Sequence, residues 1–239
     1  MIIGINGYAG SGKDTIGTII QFLKCYNTGD LTINDVVTDY PLHKWWLEEQ
    51  SGWEIKKWAG KLKTIANILT GIPEEKFEDQ EFKKTLLGPE WSIHGMPLTV
   101  RGFLQKLGTD GLRVGLHYNT WVNALMADYK TKEEDENGDI TSPLANGQEI
   151  KWKPMPGWED KLYPNWIITD TRFPNEANAI KRAGGYIIRV NRPGYGPVNN
   201  HPSETSLDEY KFDYVIENSG GLKELLDKVL VFLENQNLM

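Results

Sequence analysis

The chain is short of cysteine: Cys25 is the only one in 239 residues. No disulfide and no cysteine-based metal site can form within it, and a reducing cytoplasm is the compartment that fits. No stretch approaches the ~20 apolar residues of a membrane span. Nor does a basic region precede the first apolar segment, as it would in a secretory leader. Positive charge is scarce too, with 26 Lys and Arg against 33 Asp and Glu and a net charge of −7. That balance argues against polymeric nucleic acid as a partner, because its backbone calls for a basic face. A small phosphorylated ligand remains compatible, since a few placed cations and backbone N–H groups suffice. The four histidines, His43, His94, His117 and His201, show no metal-ligand spacing. Tryptophan, by contrast, is abundant at nine and reads mainly as packing.

The hydrophobic pattern alternates between two periods. Ile2 to Asn6 is a short apolar strand, and Ile16, Ile19, Ile20 and Leu23 then recur on one face of a helix. Trp53 to Trp58 predicts a second strand and Lys61 to Leu69 a helix closing at Gly71. Thr99 is the expected N-cap of a helix that buries Phe103, Leu104 and Leu107 and ends at Gly108. Strands are expected again at 166–169, 186–190 and 212–216, with helices at 175–183 and 222–233. Short apolar strands alternating with helices predict an α/β domain with about five parallel strands and helices on both faces. We read 1–239 as one such domain, carrying lid or insertion segments at about 26–52 and 130–164. Asn146-Gly147 in the second insertion suits a tight hairpin turn.

The chemistry begins at residues 7–15, GYAGSGKDT. The P-loop pattern is Gly, four residues, Gly-Lys and then Ser or Thr; Gly7, Gly12 and Lys13 match, while Asp14 displaces Thr15 by one place. The physical logic survives this shift. Gly7, Gly10, Ser11 and Gly12 let backbone N–H groups curl around phosphate oxygens, and the helix N-terminus adds its positive end. Lys13 reaches the β- and γ-phosphates, and Thr15 offers a hydroxyl to Mg²⁺. Asp14 is an acid in the first helical turn, where the dipole favours it. The context of apolar strand before and amphipathic helix after is what gives the loop its weight.

A second constellation, TDTRFPNE at 169–176, follows an expected central strand at the edge where α/β sheets bind ligands. Asp170 there suits Mg²⁺ or its waters, and Arg172 a transferring phosphoryl group. An Asp-Arg pair that only shapes the turn is the plainer alternative. Arg189 and Arg192 end the next strand, where an arginine can meet a purine or phosphates. Asn218 follows the last strand, in a turn that either meets the base or merely starts a helix. Arg101 and Gln105 are i, i+4 neighbours able to act together on a ligand, or a solvated face. Ser203 is the expected cap of the residues after His201-Pro202.

These pieces together resemble the deoxynucleoside monophosphate kinases of tailed bacteriophages. The segments that carry the likeness are GSGKDT, KKWAGKLK at 56–63, RGFLQKLGTD at 101–110, Trp121, TDTRFPNEA at 169–177, RVNRPG at 189–194, HPSE at 201–204 and ENSGGLKEL at 217–225. The resemblance implies a P-loop NTPase fold and transfer of the γ-phosphoryl of ATP to a 5′-dNMP, with Mg²⁺. By it Lys13 and the loop hold ATP, with Arg192 and Asn218 near the donor nucleotide, and Arg101 and Arg172 contact phosphates. It likewise puts Lys61, Gln105, Asp110 and Trp121 on the acceptor and makes a homodimer plausible. Membranes and polymeric nucleic acid are not expected partners. The competing readings are a dephospho-coenzyme A kinase-like enzyme and a P-loop ATPase or regulator.

Overall fold

Strand β1 (Ile2–Gly7) lies at the centre of the sheet because Ile2, Ile3 and Ile5 make it largely apolar and it is buried on both sides. The computed structural model describes residues 1–25, 28, 29, 31–130, 139–143, 149–153, 163–197 and 201–239. They group into two compact units, 1–56 with 128–239, and 57–127. Among the described residues no helix is long and apolar enough to cross a membrane.

In the first unit, helix α1 (Lys13–Lys24) follows β1, and two helices, α2 (Ile33–Thr38) and α3 (Tyr40–Ser51), fill much of the 26–52 insertion. Thr32 caps α2, accepting from the Asp35 N–H while the Asp35 carboxylate accepts from the Thr32 N–H. Strand β2 (Trp53–Lys56) comes next.

The second unit opens with α4 (Gly60–Thr70), which stops where Gly71 turns left-handed at φ 71°. Three short 3₁₀ turns follow at Glu74–Phe77, Phe82–Lys84 and Pro89–Trp91. Helix α5 (Val100–Gln105) starts at the expected cap, Thr99 accepting from the Gly102 N–H at 3.0 Å. Gly108 does not end it: a π-helical segment, Lys106–Val114, continues the turn. The reason is packing. Gly108 is buried against Leu62, where an added Cβ would stand 3.0 Å from a methyl, and its carbonyl accepts from the Trp121 indole at 2.9 Å. Its lack of a side chain serves close approach, not termination. Helix α6 (Thr120–Met126) closes the unit, whose small core joins Ala66, Phe77, Val100 and Phe103.

Back in the first unit, β3 (Ile140–Pro143) pairs antiparallel with β4 (Glu149–Trp152) around the expected Asn146-Gly147 turn, which lies outside the described residues. Then come β5 (Asn165–Ile168), α7 (Pro174–Arg182), β6 (Tyr186–Asn191), the one-turn helix α8 (Pro202–Thr205), β7 (Tyr214–Glu217) and α9 (Leu222–Asn235). The main sheet runs β2-β5-β1-β6-β7, all parallel, so the expected five strands and α/β class are found. Ile3 and Ile5 pack with Ile16, Ile19 and Ile20 of α1 and Val229 and Phe232 of α9. On the opposite face Gly4 leaves room for Ile180 of α7, which a Cβ would meet at 2.4 Å. Chain alternation across β1 therefore buries both faces. Trp53, Trp58, Trp121 and Trp166 are packing residues as expected, whereas Trp45 is 69% exposed.

This order places the topological switch point at β1: β2 and β5, which follow it in the chain, lie to one side, and the later β6 and β7 to the other. Ligands of open α/β sheets bind beyond the carboxyl ends of the strands at such a point. The glycine loop leaves β1 there.

Candidate functional site

The loop between β1 and α1 takes its shape from backbone conformations that side chains resist. Gly10 has φ 77° and Gly12 φ 101°. At Gly12 an added Cβ would also stand 2.6 Å from the Asn218 amide nitrogen. Gly12→Ala should therefore destabilise the protein by about 1–3 kcal/mol and weaken nucleotide binding together with it. Thermal unfolding and an ATP titration of the same variant check both outcomes.

Around the loop the side chains act as braces. Asn218, just after β7, donates from its amide to the Ser11 carbonyl at 2.8 Å, and its own N–H reaches the Asn191 carbonyl at 2.7 Å. Arg192, just after β6, donates to the Gly10 carbonyl at 2.9 Å, with its guanidinium 4.6 Å from the Tyr195 ring centroid. The Thr169 hydroxyl donates to the Asp14 carboxylate at 2.6 Å, tying the first turn of α1 to the end of β5. Asp14 is exposed, yet its carboxylate is held by this buried hydroxyl. The Ser11 hydroxyl, 1% exposed, has no hydrogen-bond partner among the described residues. A buried hydroxyl in that state is costly unless a ligand oxygen answers it.

Lys13 is the electrostatic centre. Its ammonium is buried and donates to the Tyr8 carbonyl at 2.7 Å. Burial, with Arg172 nearby adding like charge, lowers its pKa to about 8 against the opposing pull of Asp14, Glu204 and Asp170. The fold therefore brings Lys13, Asp170 and Arg172 within mutual electrostatic reach at the sheet edge. Arg172 itself donates to Glu204 at 2.7 Å, with the arginine side chain 35% and the glutamate 8% exposed. Thr15, two residues beyond Lys13, is half-buried in the first turn of α1.

Four participants escape a reading of the sequence alone. Glu204 was visible only as part of HPSE, with nothing to pair it with Arg172. Glu176 is buried and accepts from the N–H groups of Arg172 and Phe173 at 2.8 and 3.1 Å, fixing the turn that presents Arg172. Its place in the first turn of α7, after a proline, was an available signal. Tyr8 and Asp208 surround Arg189, which donates to Asn6 at 2.5 Å and Asp208 at 3.3 Å and stacks 4.6 Å from the Tyr8 ring. Arg189 is thereby a buried structural cation instead of a ligand-facing one. The expected cap at Ser203 belongs instead to His201, whose Nδ1 accepts from the Ser203 N–H at 3.2 Å.

The remaining sequence candidates lie in the second unit. Lys61 donates to the Ala124 carbonyl at 2.6 Å and Arg101 to the Gln80 amide oxygen at 3.1 Å. Gln105 is one turn from Arg101 on α5 and half-buried. Asp110 is exposed and 3.5 Å from the Lys106 ammonium. Trp121 is buried, its indole N–H committed to Gly108, so it holds the π-helical segment in place.

The sequence model of the deoxynucleotide monophosphate kinase family matches residues 158–229, which carry β5, Arg172, the Arg192 turn and Asn218. A protein of Acanthamoeba polyphaga mimivirus, provisionally named a deoxynucleotide monophosphate kinase, is 25% identical over all of this chain and 99% of its own length. The deoxynucleotide monophosphate kinase of Enterobacteria phage T4 is 29% identical over 55% of this chain, and that of Escherichia phage RB69 34% identical over 27%. Those alignments span 44% and 26% of the two phage enzymes.

Proposed function

We infer that this chain, a relative of the deoxynucleotide monophosphate kinases of phages and viruses, is itself such a kinase: a phosphotransferase that converts a 5′-dNMP to the dNDP. The observation that carries the reading is the buried Lys13 in a glycine loop at the sheet's switch point, with Arg172 and Asp170 beside it. In this reading ATP is the donor. Its phosphates lie along the amides of residues 7–15, take up the orphan Ser11 hydroxyl and draw the Lys13 ammonium from the Tyr8 carbonyl. Arg192 and Asn218 keep the loop curled. The residues also fit Mg²⁺. Thr15 and Asp170 supply one hydroxyl and one carboxylate, and among the described residues no cluster of three metal-capable side chains exists. A sparse donor set of this kind suits an ion that keeps waters and shares phosphate oxygens. When bound, that ion supplies charge neutralisation at the phosphates.

The transfer needs little more. An oxygen of the acceptor's phosphate attacks the γ-phosphorus; the bond from that phosphorus to the β-bridging oxygen breaks, and ADP leaves. A monophosphate oxygen is already a nucleophile, so positioning and charge supply most of the rate. Arg172 meets the transferring group, exchanging Glu204 for phosphate oxygens. Lys61, Arg101, Gln105 and Asp110 of the second unit serve the acceptor, with Trp121 holding the segment that bears Asp110. The substrates are then dNMP and ATP, in the cytoplasm of the host, with neither membrane nor polymeric nucleic acid involved.

A coupled ADP-release assay over a panel of deoxynucleoside monophosphates tests this. ADP should appear only with an accepted dNMP. Release with dephospho-coenzyme A instead, or without any acceptor, would replace the reading by a metabolite kinase or an ATPase.

A further inference from the structure

The second unit concentrates positive charge in a chain that is acidic as a whole. Lys63 on α4 hydrogen-bonds the Glu78 carboxylate, and Lys57 approaches the same carboxylate to 3.7 Å. Lys83, on the second 3₁₀ turn, stands within electrostatic reach of Glu78, Lys63 and Lys57, and of Arg101 on α5. Three lysines from three segments thus converge on one carboxylate, and Arg101, which donates to the Gln80 amide oxygen at 3.1 Å, stands beside Lys83. Asp79 adjoins them, but its Oδ1 accepts from the N–H groups of Glu81 and Phe82 at 2.8 and 3.2 Å, which fixes the turn carrying Lys83.

The segments are held by the unit's core rather than by the charges. Phe77 is fully buried beside Val100 and Phe103, with Phe82 packed against them, so Glu78 and Lys83 sit on a fixed support. Lys63 is only 14% exposed. Lys83 is half-buried, and its ammonium makes no ion pair within 4.0 Å among the described residues. Desolvation, with Lys63, Arg101 and Lys57 adding repulsion against the pull of Glu78, lowers its pKa to about 8. Burial works to raise the Glu78 pKa, but the Lys63 hydrogen bond and the charges of Lys57, Lys63 and Lys83 outweigh it and hold that carboxyl below its usual value. A cation cluster so poorly neutralised is stabilised by an anion of higher charge than one carboxylate.

We propose that Lys83, with Lys63 and Arg101, forms a subsite for the dianionic phosphate of a monophosphate ester, and that Glu78 is the counterion that holds the lysines together when no such ester is bound. The inference rests on the kinase reading for the identity of the ester, the acceptor dNMP. Glu78 yields its place as the phosphate enters, and Lys83, without an ion pair among the described residues, gains a direct partner. Because Lys83 loses its proton above pH ~8 in the free protein, kcat/KM for the acceptor at saturating ATP should fall as pH rises past that value. Lys57, Lys63, Arg101, Glu78 and Asp79 are the charged neighbours that set the midpoint.

Calorimetric titration of the full chain decides the matter. Each accepted dNMP is compared with its own deoxynucleoside, and inorganic phosphate serves as a base-free probe. Lys83→Ala should weaken the dNMP by about tenfold to a hundredfold, as expected for a lost charge-assisted hydrogen bond. It should leave the deoxynucleoside and ATP unchanged. Glu78→Gln should tighten inorganic phosphate, and Lys84→Ala, whose ammonium pairs with exposed Glu81, should change nothing. Wild-type affinity for the dNMP in Lys83→Ala, or an equal loss for the deoxynucleoside, overturns the subsite. Should Lys83→Ala fail to fold by circular dichroism, Lys83→Met and the Glu78→Gln result carry the same decision. If no dNMP is phosphorylated but inorganic phosphate binding still depends on Lys83, the kinase reading fails and the anion subsite stands.

Discussion

Replacing Lys13 with methionine is expected to lower kcat by at least about a thousandfold, at the upper end of what one lost charge-stabilising donor costs, while the protein keeps its fold. The buried ammonium is already disfavoured, as its pKa of about 8 shows, so a methionine of similar volume relieves a desolvation cost. The Tyr8 carbonyl is not orphaned by the change, because it also accepts from the Ser11 N–H at 3.1 Å. The melting temperature should therefore stay equal or rise. A variant that turns over near the wild-type rate would remove Lys13 from the donor site; one that unfolds would show the lysine to be structural.

Arg172→Ala should have a comparable effect on turnover and a different one on stability. An arginine that stabilises a transferring phosphoryl group is worth about 10³–10⁵ in kcat, and lysine should not restore it, since the planar fork is lost. Glu204, 8% exposed, loses the guanidinium it accepts from at 2.7 Å. Stranding that carboxylate should cost about 1.5–3 kcal/mol, most of it recovered in the double variant with Glu204→Gln. Activity should not recover. Denaturant unfolding and single-turnover kinetics of the three proteins separate the roles: activity returning with stability would mean that Arg172 only braces the turn.

Much of the first unit was legible because its signals are local. Isoleucine runs bounded by glycine turns predict buried parallel strands, and all five appear in the sheet. Thr99 was readable as a cap because its hydroxyl serves an amide three residues on. Gly108 was not, since a glycine reads alike whether it ends a helix or admits a leucine. The helices in the 26–52 insertion were equally obscure: α3 buries only Leu47 and leaves Trp45 exposed, so no regular stripe marks it.

What the sequence by itself determined is the loop chemistry and the alternation of strand and helix: glycine spacing, the lysine and the apolar periods are properties of neighbours in the chain. Only the tertiary structure decided which charges meet. Arg172 with Glu204, Lys13 against Arg172, Asn218 across to Ser11, and Lys63 and Lys83 about Glu78 join residues from separate segments. Charge acts through space, and nothing in the order of residues states how near two of them will come.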